Sequence, residues 1–175
     1  MYLSKVRPTG VERVMKAEDV IISKTDLRGV ITYCNDIFVD YSAYSEDQLY
    51  GAPHSVIRHP DMPRAVFKLL WQELQAGREI FAFVKNLAHD GRHYWVFAQV
   101  IPEVSKGQVI GYFSFRRCPS RRAVTTMEAL YKKMRAEEEK VGGNAGMDAA
   151  FKMLLDALKG MGKTYEELVF ELQGA

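Results

Sequence analysis

The sequence predicts an α+β fold: an antiparallel sheet with short helices on one side, followed by C-terminal helices. Three observations predict it. Two strand-like runs joined by a turn come first, a cluster of short helical stretches follows, and three more strand-like runs close the domain. Strands never alternate with long crossover helices, and no Gly-x-Gly-x-x-Gly follows a strand, so a dinucleotide-binding doubly wound sheet is excluded. The hub is Arg58-His59-Pro60-Asp61-Met62-Pro63. Its two prolines fix φ and remove backbone donors, so regular structure can resume only after it.

Taken in order, residues 1–18 form a polar N-terminal cap segment, with Val11, Val14 and Met15 as one face of a short helix. The main domain spans 19–118. Val20–Thr25 and Val30–Cys34 are strands around an Asp26–Gly29 turn. Asn35-Asp36 opens a short helix with Ile37, Phe38 and Tyr41 on its apolar side. Ser45 and Gln48 have capping-box spacing for another, which Gly51 ends. After the hub, Val66, Phe67, Leu70, Trp71 and Leu74 recur at helical spacing, predicting a helix from about 62 to 76 with Asp61 as its cap and Pro63 in its first turn. Ile80–Ala88 and His93–Ile101 read as a hairpin around Asp90-Gly91, Pro102–Gly107 as a turn, and Val109–Arg116 as the fifth strand.

Beyond Pro119 the pattern becomes helical. Val124, Met127, Leu130, Tyr131 and Met134 stripe an amphipathic helix over 119–140. A break at Val141–Gly146 leads to a helical appendage over 147–175, striped by Ala150, Phe151, Leu154, Leu155 and Leu158. These stripes need a cover. It is either the domain itself or, through helices 121–135 and 147–172, a second copy or a signalling partner.

Composition narrows the function classes. Hydrophobic residues make 47% of the 175, charged residues 26%, and the net charge is +2, so there is no electrostatic case for nucleic acid. No apolar run reaches the length of a membrane span, and the opening residues lack a signal-peptide core, which predicts a cytoplasmic protein. Cys34 and Cys118 have no metal spacing and are expected to be reduced core thiols. His89 and His93 flank a turn instead of sharing a helix face, so they are not a metal pair. With no nucleophile elbow, P-loop or local cysteine–histidine pair, the expectation is a non-enzymatic protein.

The hub itself has two readings. Arg58 is solvated, His59 a loop residue and Asp61 a cap; or the three line a pocket beside a helix N-terminus, where anionic groups are favoured. Asn86 shares a strand face with Ile80, Ala82 and Val84, which offers an amide among small apolar neighbours; Phe81, Phe83, Lys85 and Leu87 share the other face.

Asn35-Asp36-x-Phe38, Gly51-x-Pro53-His54, the hub hexapeptide, Val84-Lys85-Asn86, Asp90-Gly91-x-His93-Tyr94-Trp95 and Gly111-Tyr112 together resemble a PAS sensor domain. More narrowly, they resemble the FAD-binding sensor domain of bacterial aerotaxis receptors, over about residues 12–135. The resemblance implies a five-stranded antiparallel sheet wrapped around a cofactor pocket, and redox sensing in signal transduction. It implies cofactor contacts at Asn35, Arg58, His59, Asp61 and Asn86, with Trp71 on the neighbouring helix. At Ile80 those receptors carry tryptophan, so FMN, another ligand or an empty pocket stand beside FAD. Haem held by His54 or His59, a small-metabolite sensor, and a cofactor-free interaction module are the alternatives. Where those receptors continue into membrane and kinase-control regions, two or three helices follow here, so the output element differs or is a separate protein.

Overall fold

The computed structural model describes residues 6–174. Residues 1–5 of the cap segment and residue 175 lie outside it. In chain order the elements are β1 (Ile21–Thr25), β2 (Ile31–Cys34), α1 (Asp36–Ser42) and α2 (Glu46–Leu49), then a 3-10 turn (His54–Ile57) and α3 (Arg64–Gln75). β3 (Ile80–Leu87), β4 (His93–Ser105) and β5 (Gln108–Arg117) follow, then α4 (Arg121–Val141), α5 (Gly143–Met161) and α6 (Tyr165–Gln173). The five strands form one sheet in the order β2-β1-β5-β4-β3, with every neighbouring pair antiparallel.

Strand parity divides the sheet into two faces. On the inner face Ile21, Tyr94, Val96 and Ala98 pack with Phe38, Tyr41, Tyr44, Leu49 and Ile57 beneath α1 and α2. On the outer face Phe83, Trp95 and Phe97 pack with Val124, Met127, Tyr131 and Met134 of α4, and with α5 and α6. The α4 stripe is therefore buried on the chain's own sheet, and most of the α5 stripe lies against α4 and α3, with Leu155 left exposed. Tyr131 fixes the arrangement, its hydroxyl donating to the Phe83 carbonyl at 2.8 Å.

Four local expectations are corrected. The segment around Val11 and Val14 is not a helix: it runs extended beside the start of β4, with Arg13 N donating to His93 O and His93 N to Val11 O, while Val11 and Val14 stay exposed. Pro102 lies inside β4, not in a turn, and pairs with Tyr112. β3 accompanies β4 only as far as Val100, so Pro102 sits where that side of the strand is an open edge, which tolerates a missing donor. The break at 141–146 shrinks to Gly142, because α5 starts at Gly143. There Gly146 packs on α4, where a Cβ would lie 2.5 Å from the Glu138 carbonyl.

The last correction is the cap of α3. Asp61 makes no cap bond, and Pro63 is the cap residue. The donor expected for Asp61 goes elsewhere: Ala65 N donates to Glu138 Oε1 at 3.0 Å. That carboxylate is almost fully buried and also accepts from Arg135. A residue 73 positions along the chain thus satisfies the helix start, a partnership that no local pattern signals.

Candidate functional site

A cavity of about 320 Å³ lies between the inner face of the sheet and α3. This is the small end of the range for ligand pockets. Its sheet wall is made of Ser23, Val84, Asn86, Ala98, Val100, Tyr112, Ser114 and Arg116. The opposite wall is Phe67, Leu70, Trp71 and Leu74 of α3, whose spacing puts them on one side of the helix. Trp71 stands edge-on to Tyr112, with centroids 5.4 Å apart, and lies against Gly29, whose φ of +79° only glycine adopts readily. Arg28 and Arg58 form the rim, and Arg58 is held over the Phe67 ring with its Cζ 3.8 Å from the centroid.

The polar atoms of this cavity are unevenly satisfied. Asn86 Nδ2, Ser114 Oγ and Arg116 Nη1 are buried without a partner. Arg116 is 4% exposed. Its Nη2 donates to Ser23 Oγ at 2.9 Å and contacts His54 Nε2 at 2.6 Å. Burial, and then the Arg116 charge, hold the His54 pKa well below its ordinary value, so His54 faces the guanidinium as a neutral acceptor. Among the described residues three guanidiniums line the cavity, of which Arg28 pairs with Asp26 outside it, and no carboxylate does.

The predicted site residues divide between two places. Arg58, Trp71 and Asn86 are brought together on the cavity wall; Asn35, His59 and Asp61 are not. Asn35 caps α1 instead, its Oδ1 accepting from Ile22 N and Phe38 N while Nδ2 donates to Val20 O. His59 and Asp61 turn to the outer face. There Lys85 Nζ lies 2.7 Å from Asp61 and 3.3 Å from Glu128, and His59 Nδ1 accepts from Asp61 N and lies edge-on to His93. The reason is backbone geometry. Arg58 forms an isolated antiparallel bridge with Asn86 at the β3 edge, and the alternation of an extended chain then puts His59 on the opposite side from Arg58.

Electrostatics on the outer face follow from this pairing. Burial raises the Asp61 carboxyl, but the Lys85 bond and the neighbouring histidines outweigh it and lower the pKa overall. Burial, and then Lys85, lower the His59 pKa to about 4, and the same two causes lower that of His93. A groove of about 800 Å³ between Pro60–Met62 and α4 is larger than the cavity, yet most of its charges are paired: Lys85 with Asp61 and Glu128, Arg135 with Glu138 and Glu139. Among the described residues no cluster of three His, Cys, Asp or Glu side chains is arranged to hold a metal ion. Haem ligation finds little support: His59 lies outside the cavity, and His54 Nε2 is engaged by Arg116.

The structure adds Arg116, Ser114 and His54 to the cavity wall. In the sequence Arg116 is only the last residue of the fifth predicted strand. Its period-2 alternation with Tyr112 and Ser114, against Phe113 and Phe115, was the available signal.

Comparison with known proteins agrees with this architecture. The aerotaxis receptor of Escherichia coli strain K12 is 40% identical over 119 residues, covering 68% of this chain. A nitrogen fixation regulatory protein of Klebsiella pneumoniae is 29% identical over 105 residues, 59% of this chain. The chain spans 24% and 21% of the lengths of these two relatives. Among solved structures, a light-oxygen-voltage domain studied with a flavin analogue superposes with a TM-score of 0.55 at 16% identity, covering 69% of this chain and 87% of that one. The light state of the Aureochrome1 LOV photoreceptor gives a TM-score of 0.52 at 23% identity, covering 69% and 92%. These two show the fold alone. The PAS fold family model matches residues 10–119, well over half of the chain, and the chain therefore belongs to the PAS family.

Proposed function

We propose that the protein is a non-enzymatic, cytoplasmic PAS sensor that holds a flavin in the cavity between α3 and the sheet and reports its redox state. One observation carries the reading: Asn86 presents a buried, unpartnered amide donor to a slot walled by aromatic and aliphatic side chains, with guanidiniums and no carboxylate around it. Native proteins seldom leave such a donor orphaned, and a planar, acceptor-bearing, anionic ligand satisfies it. The likeness to an aerotaxis receptor supports the same choice.

When bound, the flavin supplies electron transfer coupled to proton uptake. The rest is work for this chain. Asn86 would hydrogen-bond the ring edge, Trp71 and Tyr112, already in contact with each other, would form one aromatic wall beside the ring, and Arg58 with Arg28 would meet the phosphates at the rim. FAD is the first candidate and FMN the second. Ile80, where the resemblance has tryptophan, packs among Leu74, Tyr112 and Val100, so Trp71 is left as the indole of the cavity.

Output would pass through β3, whose inner face carries Asn86 while its outer face is tied to α4 by Tyr131 and by Lys85–Glu128. A second copy or a signalling protein would then read the position of α4–α6, in a two-state change biased by the redox state of the ring.

The test is the visible spectrum of the purified protein, before and after incubation with FAD and FMN. Flavin bands are expected, with retention lost at least tenfold in Asn86→Ala and Arg58→Ala. A colourless protein that takes up neither flavin overturns the reading in favour of an interaction module. Full occupancy in both variants overturns the site.

A further inference from the structure

Every neighbour of Arg116 on the cavity wall is neutral or cationic. Nη2 is spent on Ser23 and His54, the Phe38 ring lies 5.3 Å from Cζ, and Nη1 has no partner. His54 is neutral for the reasons given above, and among the described residues the cavity lining contains no Asp or Glu. A buried cation without a counter-ion is costly, and a fold that retains one either repays the cost elsewhere or awaits a negative charge. Ser114, two residues back on the same face of β5, offers a second unpartnered group, and Asn86 Nδ2 faces the same space from β3. What this end of the cavity lacks is an acceptor, and a charged one.

We infer that Arg116 Nη1, with Ser114 Oγ beside it, is an anion subsite that receives the edge of the flavin ring on which negative charge collects in the reduced state. The inference rests on the flavin reading above and deepens it. An oxidised flavin that takes two electrons and one proton becomes an anionic hydroquinone, its charge shared along the N1–C2–O2 edge. A guanidinium stays charged under these conditions and cannot pass the ring a second proton easily. The pocket therefore binds the reduced ring more tightly than the oxidised one, and that affinity ratio raises the potential at which the sensor switches. Arg116 is then a residue that tunes the signal as well as retaining the ligand.

The experiment compares the full chain with Arg116→Gln and Arg116→Lys, using FAD as the probe. Affinity is measured for the oxidised form and for the form reduced anaerobically with dithionite. Arg116→Gln is expected to lose at least tenfold of the preference for reduced FAD, which for a two-electron couple lowers the midpoint potential by about 30 mV for each tenfold. Arg116→Lys is expected to keep most of it. The ligand-free Gln variant should melt at or above the wild type, because a purely structural arginine would destabilise when removed and an uncompensated one would not.

If Arg116→Gln binds FAD with an unchanged ratio and potential, the inference fails while the flavin reading stands. If the wild type takes up no flavin, both fail together, and the two failures are told apart by that one spectrum. Should the Gln variant not fold, the wild-type potential decides between pH 5.5 and 7, with free FAD in the same buffers as reference. One proton per two electrons gives a slope of about 30 mV per pH unit, as expected for an anionic reduced ring, and two protons give about 60 mV and overturn it.

Discussion

Lys85 and Arg116 are both buried cations on the same sheet, and their surroundings are opposite. Lys85, on the outer face, meets Asp61 and Glu128 and lies within 6.0 Å of the Trp95 ring. Arg116, on the inner face, meets a hydroxyl, a neutral imidazole and an aromatic ring, and keeps one nitrogen free. On the outer face the buried cation is matched by carboxylates, as a stabilising interface should be. On the inner face an empty volume coincides with three unpartnered polar groups. The contrast teaches where to look for function: balanced accounts mark the parts that hold the fold, and a coherent imbalance of one sign marks the part that binds.

Adjacent residues of β3 put the largest effect on this contrast. Phe83 is fully buried against α4 and Phe97, whereas Val84 borders the cavity. Phe83→Ala is expected to cost about 3–5 kcal/mol, since the outer core cannot collapse into the space. Val84→Ala should cost less than about 1 kcal/mol, because part of its surroundings is already empty. Urea denaturation of the ligand-free protein reads both, and equal losses would mean that the two faces are packed alike.

The charged cluster of the outer face gives the next effect. His59 is held at about 4 when folded, below its ordinary 6.5. The unfolded chain therefore binds more protons than the folded one between those values, and stability is lost as pH falls from about 6.5 towards 4. The single group is worth on the order of 2 kcal/mol over that window. Chemical denaturation at a series of pH values checks it. His59→Asn should flatten the slope, and an unchanged slope would assign the loss to His93 or His54 instead.

How much of this was legible beforehand follows from the range of the interactions. The five strands, the order of the helices and the capping box at Ser45 depend on neighbours a few residues apart, and local periodicity carried them. Asn86 was placed by parity alone. The division of the hexapeptide was not legible: Arg58, His59 and Asp61 are adjacent in sequence, and only the bridge to Asn86 and the partners at Lys85 and Glu128 decide which side each one takes. The same limit hid Glu138 as the acceptor at the start of α3 and the strap along β4. Arg116 was missed for a different reason: a basic strand end reads as solvated until the face it shares with Tyr112 is seen to be enclosed.

The smallest effect is the sharpest test, because it separates two asparagines that the sequence treats alike. Asn35 spends its amide on three backbone groups, Val20 and Ile22 at the start of β1 and Phe38 in α1, at 2.8 to 3.1 Å. Asn35→Ala should therefore cost about 1–2 kcal/mol as a lost cap with its companion bonds, and leave flavin affinity within about twofold. Asn86 Nδ2 has no partner in the folded chain, so Asn86→Ala should change the ligand-free stability by less than about 0.5 kcal/mol, or raise it slightly, since an unsatisfied buried donor disappears. Its cost should emerge only with the ligand, as a smaller rise in melting temperature on adding FAD. Measured side by side in the same titration, the two variants should show opposite patterns: stability lost without affinity at Asn35, affinity lost without stability at Asn86. A reversal would move the site off β3 and into the loop that opens α1.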